Sequence, residues 1–308
     1  MGLEPRFRDW IEEVALPGRT VIAATSLTGG YSNDNRLVRT AAGGRFVLRR
    51  YLGANSCAVE AALAARLAGA VPVAEVIAAD MDGSAAGEPV LLSAFVPGRP
   101  LGEVLAAASG SEVAELGAAT GRTLAAVGSV TFAAPGFFDS AGLEPGPPGA
   151  EPTSGVDVFV ERCLNEGNAS GHLGDAEQRA LLGFAAAAAP DLAVLRGSAR
   201  LVHADFNPKN ILVTGRAGHW RLSAVLDWEF AFSRSPLFDI GNMLRDPRPA
   251  GFLDAFVDGF RDGGGELPAG WRRLTQALDL YSLADFLQRP VEHRYFTRSV
   301  ERIRALVS

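Results

Sequence analysis

The sequence predicts an α+β protein whose strands are gathered in the first third of the chain and whose helices fill most of the rest. Three observations carry this reading. The first 96 residues break into short apolar runs separated by Gly- and Pro-containing turns, with one main helix among them. From residue 101 onward, apolar residues recur mostly at helical spacing. Two strand-like runs, 211–213 and 222–226, interrupt that helical part, and polar side chains crowd both ends of them.

Composition bounds the function classes. A chain of 308 residues can bury a substantial core in one large or two modest domains. Its 48% hydrophobic and 21% charged content is that of an ordinary globular protein. The net charge of −6 argues against a nucleic-acid partner and tolerates a cationic substrate. The two cysteines, Cys57 and Cys163, read as small packing residues of a reducing compartment. No apolar run reaches the length of a membrane span, and MGLEPRFRDW lacks a signal-peptide core, so a cytoplasmic location with no membrane partner is expected. The four histidines are scattered and form no Cys/His metal pattern.

The elements follow in order. Residues 6–14 read as a short amphipathic helix and 21–27 as a strand. The Gly29-Gly30 pair then leads through Ser32 and Asn33 into a second strand. Gly43-Gly44 turns into a third, 45–51, where alternation with Val47 inward places Arg49 on the inner face and leaves Arg50 as an exposed strand charge. Ser56 is placed to cap a helix over 57–68. Glu60, Leu63 and Leu67 share one face of it, and a carboxylate on an apolar face needs a partner, for which Arg49 is the candidate. A strand is expected from Val71 onward, entered through Pro72, and a buried one over 89–96, followed by Pro97-Gly98.

Residues 101–105 and 111–127 are helical in pattern. The Pro- and Gly-rich stretch 133–153 reads as a long surface loop anchored by Phe132, Phe137 and Phe138, and such loops are uncommon without a role. Further helices are expected over 156–168, 175–189, 251–262, 270–288 and 291–306.

The chemistry is concentrated around the two interrupting strands. If these pair as a hairpin, Asn210 and Asp227 emerge at the same end, with Asp205 on the loop leading in. Phosphoryl transfer from ATP needs hard oxygen ligands for Mg2+ and a carboxylate to align and deprotonate the attacking hydroxyl. Asp205 suits the base, and Asn210 and Asp227 the metal. The spacing H-x-D-x-x-x-x-N followed by an Asp at a strand end is the catalytic arrangement of kinases. Satisfied turn residues are the plainer alternative, since Asp and Asn are common in turns.

The segments HADFNPKN and VLDWEFAFSRSPLFDIGNML resemble the aminoglycoside phosphotransferase family and the wider group of kinase-like small-molecule kinases, over about residues 26–244. The resemblance implies a bilobal protein-kinase-like fold, with a five-stranded antiparallel nucleotide-binding lobe over 1–96 and a mostly helical lobe over 97–308. It implies that Gly29, Gly30, Ser32 and Asn33 cover the ATP phosphates. Arg49, braced by Glu60, takes the place of the phosphate-binding lysine. The Ala94 carbonyl and Val96 amide hold the adenine. His203 braces the catalytic loop. Asp239 accepts hydrogen bonds from that loop's backbone, although a plain helix N-cap would use the same residue type. Glu229 is either a third carboxylate near the metal or a surface residue. Asp279 and Asp285 are candidates for binding substrate amines, with solvated helix charges as the alternative.

Asn207 stands where protein kinases of the Ser/Thr type carry a lysine, Lys209 reads as solvated, and Glu229 replaces a glycine. Asn207 and Glu229 disfavour a protein kinase. The acceptor implied is a small-molecule hydroxyl on a cationic antibiotic, an aminoglycoside or tuberactinomycin. A metabolic kinase for choline, homoserine or a sugar, and a nucleotide-binding module without turnover, are the competing readings. The oligomeric state is not legible.

Overall fold

The computed structural model describes residues 3–27, 33–146 and 155–307. In chain order the early elements are α1 (Pro5–Trp10), β1 (Val21–Ser26), β2 (Asn33–Thr40), β3 (Arg45–Tyr51), α2 (Cys57–Leu67), β4 (Val76–Asp80), β5 (Val90–Ala94), β6 (Arg99–Pro100), α3 (Leu101–Leu105) and α4 (Gly110–Gly128). There follow β7 (Gly136–Phe137), α5 (Val156–Glu166), α6 (Asp175–Ala188), β8 (Arg200–Val202), β9 (Ile211–Thr214), β10 (Arg221–Val225) and β11 (Phe232–Arg234). The chain ends with α7 (Leu237–Leu244), α8 (Phe252–Asp262), α9 (Trp271–Asp285) and α10 (Arg294–Val307). These elements form two compact units, one of residues 1–112, 138–144 and 208–230, the other of 113–137, 145–207 and 231–308.

The first unit is built on a five-stranded antiparallel sheet in the order β1-β2-β3-β5-β4. Both faces are covered. On one, Val38, Leu48, Val90 and Leu92 pack with Phe7, Trp10 and Ile11 of the N-terminal helix. On the other, Tyr51 and Leu91 pack with Cys57 and Ala61 of α2. A fully buried leucine such as Leu48 contributes about 1.5–3 kcal/mol. Strand alternation sends consecutive arginines of β3 to opposite faces. Arg50 goes to the α1 side, where it lies over the Phe7 ring at 4.6 Å and bonds Glu88 at 2.7 Å and Asp34 at 3.1 Å. It is therefore packed and paired, contrary to the exposed charge expected.

Two other local expectations are corrected. Ser56 does not cap α2: its hydroxyl donates to Glu60 at 2.9 Å, and the Cys57 N–H is taken by Asn55 Oδ1 at 3.1 Å. The strand entered through Pro72 begins only at Val76. Pro72 has no N–H for a ladder, and its carbonyl instead accepts the Val225 N–H at 2.7 Å.

The remaining strands of this unit form a second sheet, β10-β9-β6. The pairing of β9 with β10 is antiparallel, with Ile211 opposite Val225. The strap that enters β6 runs so close to them that a Cβ on Gly98 would sit 2.6 Å from Ser223 Oγ and 2.9 Å from Leu212 Cβ. Only glycine fits there.

In the second unit, α4 and α8 meet backbone to backbone. A Cβ at Gly121 would lie 2.0 Å from the Phe256 carbonyl oxygen, so this crossing is sealed by the missing side chain. Helices α5, α6, α7, α9 and α10 complete the helical body, and a small antiparallel sheet, β7-β11-β8, edges it. The stretch expected to be one long loop contains β7, whose Phe137 pairs with Phe232. Residues 147–153 of it lie outside the described residues. Among the described residues no helix is long and apolar enough to cross a membrane. Both cysteines are buried and free.

Candidate active-site residues

In the first unit the sheet delivers Arg49 to the face covered by α2. Its NH2 donates to Asp227 Oδ1 at 2.7 Å and to Glu229 Oε2 at 3.1 Å, and its Nε lies 3.4 Å from Glu60 Oε1. The side chains of Arg49, Glu60 and Glu229 are only 11%, 10% and 10% exposed, and that of Asp227 is 29% exposed. Three carboxylates against one guanidinium leave an excess of two formal negative charges in a half-dry site. The electrostatics follow from that crowding. Burial works against the Arg49 charge, but Glu60 and Asp227 outweigh it and hold the guanidinium above its usual range. Burial pushes Glu60 up to about 7, with Arg49 and Ser56 pulling against it. Burial and then Asp227 raise Glu229, with Arg49 and Asn33 opposing.

The β9–β10 hairpin brings the next residues to this cluster. The Leu226 N–H bonds the Asn210 carbonyl at 2.8 Å, which sets Asn210 beside the end of β10 where Asp227 follows. Asp227 has φ of 72°, a left-handed conformation that Asp tolerates better than most residues, and such backbone outliers gather at functional sites. Its Oδ1 takes Arg49, while Oδ2 receives no hydrogen bond from a described residue. Among the described residues no group of three His, Cys, Asp or Glu side chains is arranged as a metal cage. A carboxylate, a carboxamide and surplus negative charge do fit Mg2+, which keeps waters and substrate phosphates as its remaining ligands.

Asn33 opens β2, and its amide nitrogen donates to Glu229 at 2.5 Å. Gly29, Gly30 and Ser32 lie outside the described residues. Ala94 ends β5 with its N–H on the Glu75 carbonyl at 2.8 Å, and the Val96 N–H has no partner among the described residues. Glu229 is no surface residue; the sequence offered its place two positions after Asp227 as a hint, and the Asn33 contact gave none.

In the second unit the Asp205 loop is braced from below. Asp239, wholly buried on α7, accepts the His203 and Ala204 N–H groups, each at 2.8 Å. Burial pushes its carboxyl up to about 7 while those two N–H donors pull it down. The buried His203 ring accepts the Asp205 N–H at Nδ1, 3.2 Å, and Ala204 takes φ of 70°. Asn207, read from sequence only as a missing lysine, donates its amide to Asp205 Oδ1 at 2.5 Å and to the Asp205 carbonyl at 3.1 Å. It fixes the rotamer of the carboxylate. Lys209 is exposed.

Of the two acidic residues of α9, Asp279 is buried and taken on both oxygens by Arg245, with contacts of 2.6–3.0 Å. Asn242 Oδ1 accepts from the same guanidinium at 3.1 Å. Asp285 is half-exposed and 3.6 Å from Arg289. The structure brings neither to the Asp205 carboxylate through any hydrogen bond it makes.

Comparison with known proteins gives the fold and the family. No curated protein matches the sequence. Among solved structures, a thermostable mutant of the aminoglycoside phosphotransferase APH(4)-Ia, in a ternary complex with AMP-PNP and hygromycin B, is 19% identical with a TM-score of 0.69, covering 99% of this chain and 98% of its own. A macrolide 2'-phosphotransferase from Brachybacterium faecium is 18% identical, TM-score 0.66, covering 96% and 97%. A protein of Thermobifida fusca assigned as a fructosamine-3-kinase is 18% identical, TM-score 0.63, covering 97% of each chain. These likenesses establish the kinase-like α+β fold. The sequence profile of the phosphotransferase enzyme family matches residues 23–276, well over half of the sequence. The chain therefore belongs to the phosphotransferase enzyme family and is a small-molecule kinase.

Proposed function

We propose that this enzyme transfers the γ-phosphoryl group of ATP to a hydroxyl of a small molecule. The observation that carries the reading is Arg49 shared among Glu60, Asp227 and Glu229, with Asn210 set beside Asp227 by the hairpin. A guanidinium with more carboxylates than it can neutralise is poised to receive an anion together with a cation, which is what a metal–nucleotide complex brings. Residues 1–96 would form the nucleotide-binding part and 97–308 the catalytic and substrate part.

Arg49 contacts the phosphates, and Glu60 keeps its fork in place. Asn33, with Gly29, Gly30 and Ser32, lies along them. The Ala94 carbonyl and Val96 amide take the adenine edge. Asn210 and Asp227 would hold Mg2+, which when bound neutralises charge on the phosphates. Asp205, aimed by Asn207, accepts the proton of the acceptor hydroxyl as its oxygen bonds phosphorus and ADP leaves.

Release of ADP in the presence of an acceptor tests this. Asp205→Ala should lose roughly two to four orders of magnitude in turnover, the scale of base catalysis, with nucleotide affinity kept. Unchanged turnover would refute the assignment, and no turnover with any acceptor would favour a nucleotide-binding module instead.

For the acceptor we propose a cationic antibiotic of aminoglycoside or tuberactinomycin type, with phosphorylation conferring resistance in the cytoplasm. The family and the net charge of −6 support it. The second reading, a metabolic kinase for an alcohol such as choline, homoserine or a sugar, is favoured by one observation: Asp279 is already neutralised by Arg245. A screen of aminoglycosides against small alcohols separates them.

A further inference from the structure

A cavity of about 290 Å³ opens in the second unit among α7, α8, α9 and α10. Its residues are distinct from Asp205, Asn210 and Asp227. Its charged lining is one-sided, comprising Arg245, Arg272 and Arg302 with the single carboxylate Asp279. That carboxylate is closed off by Arg245, which holds both of its oxygens. Asp246, outside the lining, accepts at Oδ1 from both Nε and Nη2 of Arg302, at 2.9 and 2.7 Å. Three guanidiniums stand against the two carboxylates Asp279 and Asp246, an excess of one positive charge. The rest of the wall is mostly apolar, with Leu244, Leu253, Trp271 and Leu283, and carries the polar side chains Thr275 and Gln276. Arg272 lies over the Trp271 ring at 4.6 Å, so its fork is held at the cavity on a rigid support.

We propose that this cavity binds the oxyanion group of a small amphipathic molecule, a carboxylate or phosphate held by the Arg272 fork with the charge of Arg302 beside it, and with its apolar part against Trp271 and the leucines. Arginine forks match a planar or tetrahedral oxyanion with two donors each. The volume suits a compact molecule of aromatic-acid size. The oxyanion can belong to the acceptor itself or to a separate effector. Only that choice rests on the phosphotransfer reading; the binding does not.

Calorimetric titration of the full chain, with ADP saturating, uses benzoate as the anionic probe and benzylamine and benzyl alcohol as cationic and neutral controls. Benzoate should bind saturably, and Arg272→Gln should weaken it at least about fivefold, the scale of one lost charge-assisted fork. Arg272 is exposed, so the variant folds; Arg302→Gln, read with its melting temperature, should weaken binding in parallel. No saturable binding of benzoate, equal binding of benzylamine, or an unchanged Arg272→Gln affinity overturns the proposal. A phosphomonoester formed from 4-(hydroxymethyl)benzoate and ATP identifies the anion as part of the acceptor. A change in the rate of phosphorylation of another alcohol, with benzoate unmodified, identifies an effector.

Discussion

Two buried arginines of this molecule, Arg49 and Arg245, answer to opposite accounts of charge. Arg245 meets one carboxylate, Asp279, in a two-oxygen clasp completed by Asn242. Its charge is matched through Nε and Nη2, so the pair holds α7 against α9. Arg49 is shared among Glu60, Asp227 and Glu229, and its Nε makes no hydrogen bond. That site is under-neutralised, and Arg49, Glu60 and Glu229 are tilted away from their ordinary proton affinities. A closed pair stabilises a fold, whereas an open one with surplus charge is a place for something to bind.

The sharpest way to break the contrast is to remove the closed arginine. Arg245→Ala leaves Asp279 buried and unpaired, and should destabilise the protein by about 3–5 kcal/mol, the usual penalty for half of a buried pair. Thermal denaturation reads the loss, and nucleotide affinity should be unchanged. If affinity falls and stability does not, the roles of the two arginines are reversed.

Arg49→Lys is the milder probe of the open site. It keeps the charge and loses the fork, so ATP-analogue affinity should fall about tenfold, with a melting temperature close to that of the parent. An unaltered affinity would remove Arg49 from the phosphates.

Glu60 gives the smallest effect and a pH signature. Burial holds its carboxyl near 7 in the folded chain, against an ordinary 4.5. The folded state thus keeps a proton that the unfolded state has released. Stability from this group is fully present below about 4.5 and is lost as pH rises toward 7. Glu60→Gln should flatten that part of the stability–pH curve, and an identical slope in the variant would contradict the assignment.

How much of this was legible in the sequence depends on the range over which each signal acts. Strand alternation in FVLRRY separated Arg49 from Arg50, because side-chain direction is set by neighbours in the chain. The hairpin that joins Asn210 to Asp227 was legible for the same reason, from two apolar runs and a turn. What Arg50 meets was not legible: Phe7, Asp34 and Glu88 come from three separate elements. The clasp of Arg245 on Asp279 spans 34 residues and leaves no local pattern, so Asp279 read as an available acid. Ser56 is the residue type for a cap, but a nearby carboxylate captured its hydroxyl and Asn55 took over. Asn207 looked like an absence, and only the folded loop shows it aiming Asp205.

The most direct test of the open site is calorimetric titration of AMP-PNP with and without Mg2+, in the parent and in Asp227→Asn. The account predicts that Mg2+ strengthens binding by at least about tenfold in the parent, and that Asp227→Asn abolishes most of that gain. Equal affinity with and without the cation in the parent, or an undiminished gain in Asp227→Asn, would contradict it.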